Sequence, residues 1–320
     1  MVRIAIAGGS GQVAQEIIDE LVLTKKHDII ILSRNLTLAP KELVAEESRH
    51  GVTWHTVDFD DKNELANALR GVHNVLSFIQ LLNDTDNKSQ KNLIDAAVIA
   101  GVKRLAPSEW GSSGIDNMPW WTGKKAIREY LEKLNENEPV LEYSLFQPGL
   151  FLDYLAYPHQ TSRHVTPLST MFDFENRRAI SIEGCDPVIT LTTVRDLAKF
   201  VAQAVEYEGT WPVNGGIQGN KVSFSKILEI GKGVCGTPFS VDQVKLEDLE
   251  AGILTTSWGL RARHPSLAED KAADMLKSVL IGMLLSSAKG AWTVSDDFNR
   301  CLPDFKFTNI GDFLANVWGS

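Results

Sequence analysis

The stretch "VRIAIAGGSGQVAQEII" over Val2–Ile18 constrains the fold more than any other part of the chain. A β-branched apolar run breaks at Gly8, Gly9 and Gly11, and apolar residues then resume at helical spacing. Strand, glycine turn and helix in that order form the opening unit of a dinucleotide-binding fold. The glycines permit a tight turn and close approach of a pyrophosphate, and the helix aims its free N–H groups at that anion. Gly9, Gly11 and Ala14 match G-x-G-x-x-A, while Gly8, Gly11 and Ala14 match G-x-x-G-x-x-A, so both registers stay open. Either way, Gly8, Gly9, Ser10, Gly11, Gln12 and Val13 are the predicted cofactor-contacting positions of this turn.

The rest of the first half repeats the same rhythm. "DIIILS", "VTWHTVD", "HNVLSFI", "VKRLAPS" and "LEYSLFQPG" read as strands, separated by helical patterns at 11–23, 40–48, 61–69, 86–100 and 122–134. Alternating βα units predict an α/β fold, a doubly wound parallel sheet of Rossmann type. Asp60 or Asp61 is placed to cap one helix, and Gly101 to close another. After Pro148 the pattern changes: "STMFDFENRRAISIEG" reads as a hairpin, and "VITLTTV" leads into the helix "RDLAKFVAQAV". The expected division is a dinucleotide domain over 1–150 and a smaller α+β substrate region over 151–320, interleaved with the last strands of the sheet.

The end of the second strand decides which dinucleotide is expected. A carboxylate there pairs with a ribose 2′-hydroxyl, whereas an arginine accepts a 2′-phosphate. The residues found are Ser33, Arg34 and Asn35, with Lys41 in reach from the following loop; Asp28 begins the strand instead of ending it. NADP(H) is therefore the predicted cofactor. Ligands bind beyond the carboxyl ends of parallel strands, which brings in Asp58 and Phe59 near the adenine and Ser77, Phe78 and Ile79 near the nicotinamide. Phe78 and Ile79 suit a core role equally well.

Composition removes other classes. A net charge of −9 argues against nucleic acid, which is bound through clustered Lys and Arg. Cys185, Cys235 and Cys301 are odd in number and far apart, which suggests neither a disulfide framework nor a zinc site, and no H-E-x-x-H pairing points to a metal. No removable leader pattern opens the chain, and "SVLIGMLLSS" is too short to span a bilayer, so a reducing, cytoplasmic setting without membrane contact is expected. The absence of G-x-S-x-G argues against an α/β-hydrolase.

Further motifs carry a resemblance. "PSEWG" from Pro107, "GKKAIREYLE" from Gly123 and "QPGLFLDYL" from Gln147, with "GGSGQVAQ" and "SRN", resemble the NmrA-like and isoflavone reductase-like group of atypical short-chain dehydrogenases. The resemblance runs through the whole chain and is strongest over 2–155. It implies an NADP domain with a small substrate region, and Lys124 in the place of the family's catalytic lysine, with Lys125 next to it facing outward. Plant members reduce aromatic natural products; fungal members include secondary-metabolic enzymes and nitrogen regulators that bind the dinucleotide without consuming it. The usual Y-x-x-x-K pair is absent, since Tyr130 and Lys133 stand one residue too close. Gln12, Val13 and Ala14 depart from the plant pattern, which leaves binding intact but weakens any transfer of substrate.

Trp110, Trp120 and Trp121 crowd the segment before Lys124, and Phe151, Tyr154 and Tyr157 follow the last strand of the first half. Trp110, Trp121, Phe151 and Tyr154 are the expected walls for a flat apolar substrate or an amine. His159 and His164 are candidate proton donors; Glu109 reads as a loop-fixing carboxylate and Asp196 as a first-turn helix residue. The leading expectation is an NADPH-dependent reductase of a C=C or C=N bond in an aromatic or alkaloid-like secondary metabolite, active as monomer or homodimer. A redox-neutral cyclase or isomerase on the same scaffold, and a non-catalytic NADP-binding redox sensor, are the alternatives.

Overall fold

The computed structural model describes residues 1–34, 51–261 and 269–319. The predicted helix at 40–48, Asn35 and Lys41 lie outside the described residues.

A six-stranded, wholly parallel sheet runs β3-β2-β1-β4-β5-β6. Its strands are β1 (Arg3–Ala7), β2 (Asp28–Ser33), β3 (Val52–Thr56), β4 (Asn74–Ser77), β5 (Arg104–Ala106) and β6 (Glu142–Tyr143). The β1 run is apolar throughout because both faces of the strand are covered. Ile4 and Ile6 belong to one core and Ala5 and Ala7 to another, all fully buried. On the first face lie α1 (Gln12–Thr24) and α5 (Val194–Ala204). Ile17, Ile18 and Leu21 of α1 there join Leu197, Phe200 and Val201 of α5. Each such side chain contributes about 1.5–3 kcal/mol by leaving water. The second face carries α2 (Lys62–Ala68), α3 (Lys88–Ile99) and α4 (Thr122–Leu134), which bury Leu65, Leu93, Ile94, Ile127 and Leu131.

Local signals act as their chemistry requires. Asp61 accepts from the N–H groups of Asn63 and Glu64 at 2.8 and 3.1 Å and so caps α2, and Gly101 leaves α3 at φ +69°. Asp28 pairs with Arg3 at 3.0 Å at the amino end of the sheet, opposite the crevice.

The second half forms two three-stranded sheets. One is β11-β10-β7, from β7 (Leu150–Phe151), β10 (Val188–Thr192) and β11 (Asn220–Ser223). The other is β12-β9-β8, from β8 (Phe172–Asp173), β9 (Arg178–Ile182) and β12 (Ser240–Val244). The expected hairpin is the antiparallel β8–β9 pair. These sheets share a core with α6 (Phe224–Cys235), α7 (Leu246–Glu250), α8 (Glu269–Ala288) and α10 (Ile310–Trp318). The short α9 (Asp297–Cys301) instead sends Phe298 into the first core. Because α5 and Phe298 both pack on the parallel sheet, the two halves of the chain meet in one core. "SVLIGMLLSS" lies within α8, and among the described residues no helix is long and apolar enough to cross a membrane.

Candidate active site

The strand order reverses between β1 and β4, and an open crevice of about 220 Å³ lies at their carboxyl ends. Gly8, Ser10, Gly11, Ser33, Arg34 and Phe78 are among its lining residues. Gly8 sits at φ +78°, and a Cβ there would lie 2.7 Å from the Phe78 carbonyl oxygen. A Cβ on Gly9 would lie 2.4 Å from Ile31 Cγ2. The first two glycines are thus both sterically required, one by the turn and one by the approach of α1 to β2, which is why two registers overlap. Gly11 is the N-cap of α1 with extended backbone, no side-chain cap and no acidic residue in the first turn. The first N–H groups of α1 and the positive end of its dipole are left for an anion. This arrangement fits a dinucleotide pyrophosphate. Of the flanking residues, Val13 packs against the first core and Gln12 exchanges hydrogen bonds with Thr166 at 3.1 and 3.3 Å.

Buried Ser33 and exposed Arg34 end β2, so the charge offered at the edge of the crevice is positive. That suits a 2′-phosphate and would repel nothing an NADP brings. Phe59 lines the floor, whereas Asp58 is exposed and accepts from Asp60 N–H at 2.8 Å, shaping its own turn.

At the other end of the crevice three rings stack in strand order. Phe78 follows β4, Trp110 follows β5 and Phe146 follows β6; the centroids are 4.3 Å apart for the first pair and 5.4 Å for the second. Neighbouring strands are spaced about 4.7–4.9 Å apart, which is the natural pitch for such a stack. Trp110 adopts φ +44° and donates from its indole Nε1 to the buried Ser77 carbonyl at 2.7 Å. Both faces of Trp110 are therefore spent on supporting the crevice wall.

Beyond this stack lies Lys124, in the first turn of α4. Lys124, Ile127 and Leu131 form the buried stripe of that helix, so a lysine holds a position whose spacing calls for an apolar residue. Its Nζ donates to the Glu109 carbonyl at 2.5 Å and stands 3.5 Å from the centre of the Trp121 ring. Burial lowers its pKa to about 8, a drop that the Glu109 carboxylate opposes and the Arg128 guanidinium assists. The Glu109 carboxylate, 1% exposed, is clamped by Arg128 through Nε at 2.8 Å and Nη2 at 2.6 Å. Glu109 is thus the loop-fixing carboxylate its sequence context suggests. Lys125 points to solvent and faces Glu129 at 3.9 Å.

Other predicted residues lie elsewhere or serve packing. Trp120 packs over Gly282, where a Cβ would meet its ring at 2.7 Å, and Trp121 tilts against Trp292 at 5.6 Å. Phe151 is buried edge-on to Tyr154 at 5.5 Å, and burial pushes the Tyr154 phenol well above its ordinary range. Tyr130 donates to Asp95 at 2.5 Å, away from Lys124, and burial raises it to about 12. His159 meets Trp318 edge-on at 4.9 Å, and His164 lies 2.8 Å from Asp19 on α1. Asp196 stands in the first turn of α5, capped by Thr193, and accepts from Thr308 N–H at 2.8 Å. The residues missed from sequence are Arg128 and Phe146. Arg128 was findable, since it lies four residues after Lys124 on the same helical face.

Comparison with known proteins bears on the family and the fold. The profile of the NmrA-like family matches residues 2–274. Oxidoreductase BOA1 of Botryotinia fuckeliana is 31% identical over 242 residues, 74% of this chain and 77% of that protein. Oxidoreductase swnN of Metarhizium robertsii is 24% identical over 342 residues, 99% of this chain and 98% of the relative. Among solved structures, AtPrR2 with NADP+ and (+)pinoresinol superimposes with a TM-score of 0.71 at 17% identity, covering 99% of this chain and 98% of that one. The matched profile, the relatives and the shared fold together make this chain a member of the NmrA-like family.

Proposed function

We propose that the protein is an NADPH-dependent reductase that saturates a C=C or C=N bond of an aromatic or alkaloid-like small molecule. The observation that carries this reading is the buried Lys124, whose ammonium is held by the carbonyl of Glu109, the residue before Trp110, which stacks on the crevice-lining Phe78. The relatives' description as oxidoreductases supports the redox assignment. NADPH supplies the hydride when bound.

The chain's own residues would divide the remaining work. Gly8 to Val13 and the amino end of α1 hold the pyrophosphate through backbone N–H groups, and Arg34 pairs with the 2′-phosphate. Phe78, with Trp110 and Phe146 behind it, offers a flat apolar face. Trp121, half-buried above Lys124, is the aromatic group we place against substrate; Trp110, Phe151 and Tyr154 are committed to packing instead. Lys124 donates a hydrogen bond or a proton to the reacting molecule, a role that falls to it because the usual Y-x-x-x-K tyrosine is absent and Tyr130 is engaged by Asp95.

The test is loss of NADPH absorbance with a panel of quinones, unsaturated aromatic ketones and cyclic imines. We expect turnover with at least one class, and a drop of about 10²–10⁴-fold in kcat for Lys124→Ala with NADPH affinity retained. Product formation without NADPH loss would replace the reductase by a redox-neutral cyclase or isomerase. NADPH binding without turnover, and without any small-molecule ligand, would replace it by a sensor.

A further inference from the structure

Glu109 presents two acceptors to two cations of one helix. Lys124 and Arg128 are one turn apart on α4; Lys124 takes the main-chain carbonyl of Glu109, and Arg128 takes its carboxylate. Arg128 also donates from Nη1 to the Ser113 carbonyl at 2.7 Å, so it fastens α4 to both limbs of the loop after β5.

The carbonyl that Lys124 uses is itself held at its far side. In a trans peptide the C=O of Glu109 and the N–H of Trp110 are rigidly opposed. That N–H donates to Phe146 O at 2.9 Å, and the left-handed φ of Trp110 is kept by its stacked ring. Turning the Glu109 carbonyl away from Lys124 would therefore break the bond to Phe146, and a loose Glu109 side chain would free the loop to turn.

We propose that Glu109 and Arg128 are positioning residues for Lys124, which hold its ammonium between the loop after β5 and the Trp121 ring and set its charge without touching substrate. This rests on the reading of Lys124 as the catalytic group. The carboxylate favours the ammonium form and the guanidinium opposes it, so the pair acts in opposite directions on a lysine whose pKa burial lowers. No other charged group faces Nζ among the described residues. From the turn before α3 the residue against α4 is Asn87, while Asp84 caps α3 through the Ser89 and Gln90 N–H groups. On α3, Asp95 is occupied by Tyr130 and Lys62.

The experiment is a pH titration of the lysine 13Cε signals of the full chain by NMR, without cofactor, with the Lys124 signal assigned by its loss in Lys124→Arg. Glu109→Gln is expected to lower the Lys124 midpoint by about one pH unit and Arg128→Gln to raise it by about as much. Arg128→Lys keeps the charge, serves as the second variant should Arg128→Gln not fold, and leaves the midpoint nearly in place while turnover falls ~10-fold through lost geometry. Midpoints that stay put in Glu109→Gln, or that move the same way in Glu109→Gln and Arg128→Gln, overturn the proposal, as does full turnover in Arg128→Lys. If Lys124→Ala keeps its turnover while the midpoints shift as stated, the catalytic reading fails and the electrostatic positioning stands.

Discussion

The glycine turn and the Lys124 cluster sit along the same edge of one sheet and are built from opposite materials. At the turn the working groups are backbone N–H donors, and side chains are kept out: Gly8 and Gly9 have no room for a Cβ. At Lys124 the groups are side chains: the ammonium stands over the Trp121 ring, beside the buried carboxylate–guanidinium pair of Glu109 and Arg128. The first end should break when atoms are added, and the second when atoms are taken away.

The largest effect belongs to a deletion. Phe146 is fully buried and contacts Trp110, Trp211 and Phe298 at 5.4, 5.2 and 4.9 Å. Phe146→Ala is expected to cost about 3–5 kcal/mol in urea unfolding, and to lose Lys124-dependent turnover in whatever remains folded. A cost below ~1 kcal/mol would show that the stack is not what supports the Lys124 end.

Addition at the other end comes next. Gly8→Ala places a Cβ against the Phe78 carbonyl at a left-handed φ, a strain of about 1–3 kcal/mol. NADPH affinity by calorimetry should fall ~10-fold or more while the Lys124 titration midpoint stays fixed; a moved midpoint would mean the two ends are not separable. Arg34→Ala tests the charge at the crevice edge. Its NADPH Kd should rise ~10–100-fold and its NADH Kd stay level, and equal losses for both would remove the 2′-phosphate assignment.

The smallest effects are graded ones. With Lys124 titrating at about 8 in the folded state, its ammonium is present below that pH and lost above it. Turnover that needs the ammonium should fall as pH rises through about 8, a limb missing from Lys124→Ala. Stability should move the other way. An unfolded lysine keeps its proton to about pH 10.4, so between these values the unfolded chain binds more protons and the fold gains stability as pH rises. Lys125→Ala, removing only an exposed ion pair with Glu129, should change stability by less than ~0.5 kcal/mol and leave the pH limb intact.

The legibility of these regions from sequence follows the same division. The βα rhythm, the caps at Asp61 and Gly101 and the turn at Gly8 are local, each set by residues within a few positions of one another. Arg34 was legible because the end of β2 always abuts the glycine turn in this topology. Lys124 was visible as a lysine on an apolar helical stripe only with the resemblance beside it. The aromatic walls were the harder case: composition placed Trp110 and Phe151 near the right strand ends, and packing turned them into supports.

What the sequence by itself determined is therefore the doubly wound sheet, the cofactor turn and the sign of charge beside it, because hydrophobic period, glycine and capping act over one or two turns of chain. What only the tertiary structure decided is that Arg128 reaches back 19 residues to Glu109, and that Phe78, Trp110 and Phe146 stack across three strands. Those contacts depend on which strand lies beside which. That order is set by the burial of whole faces of the sheet, and no short stretch of residues contains it.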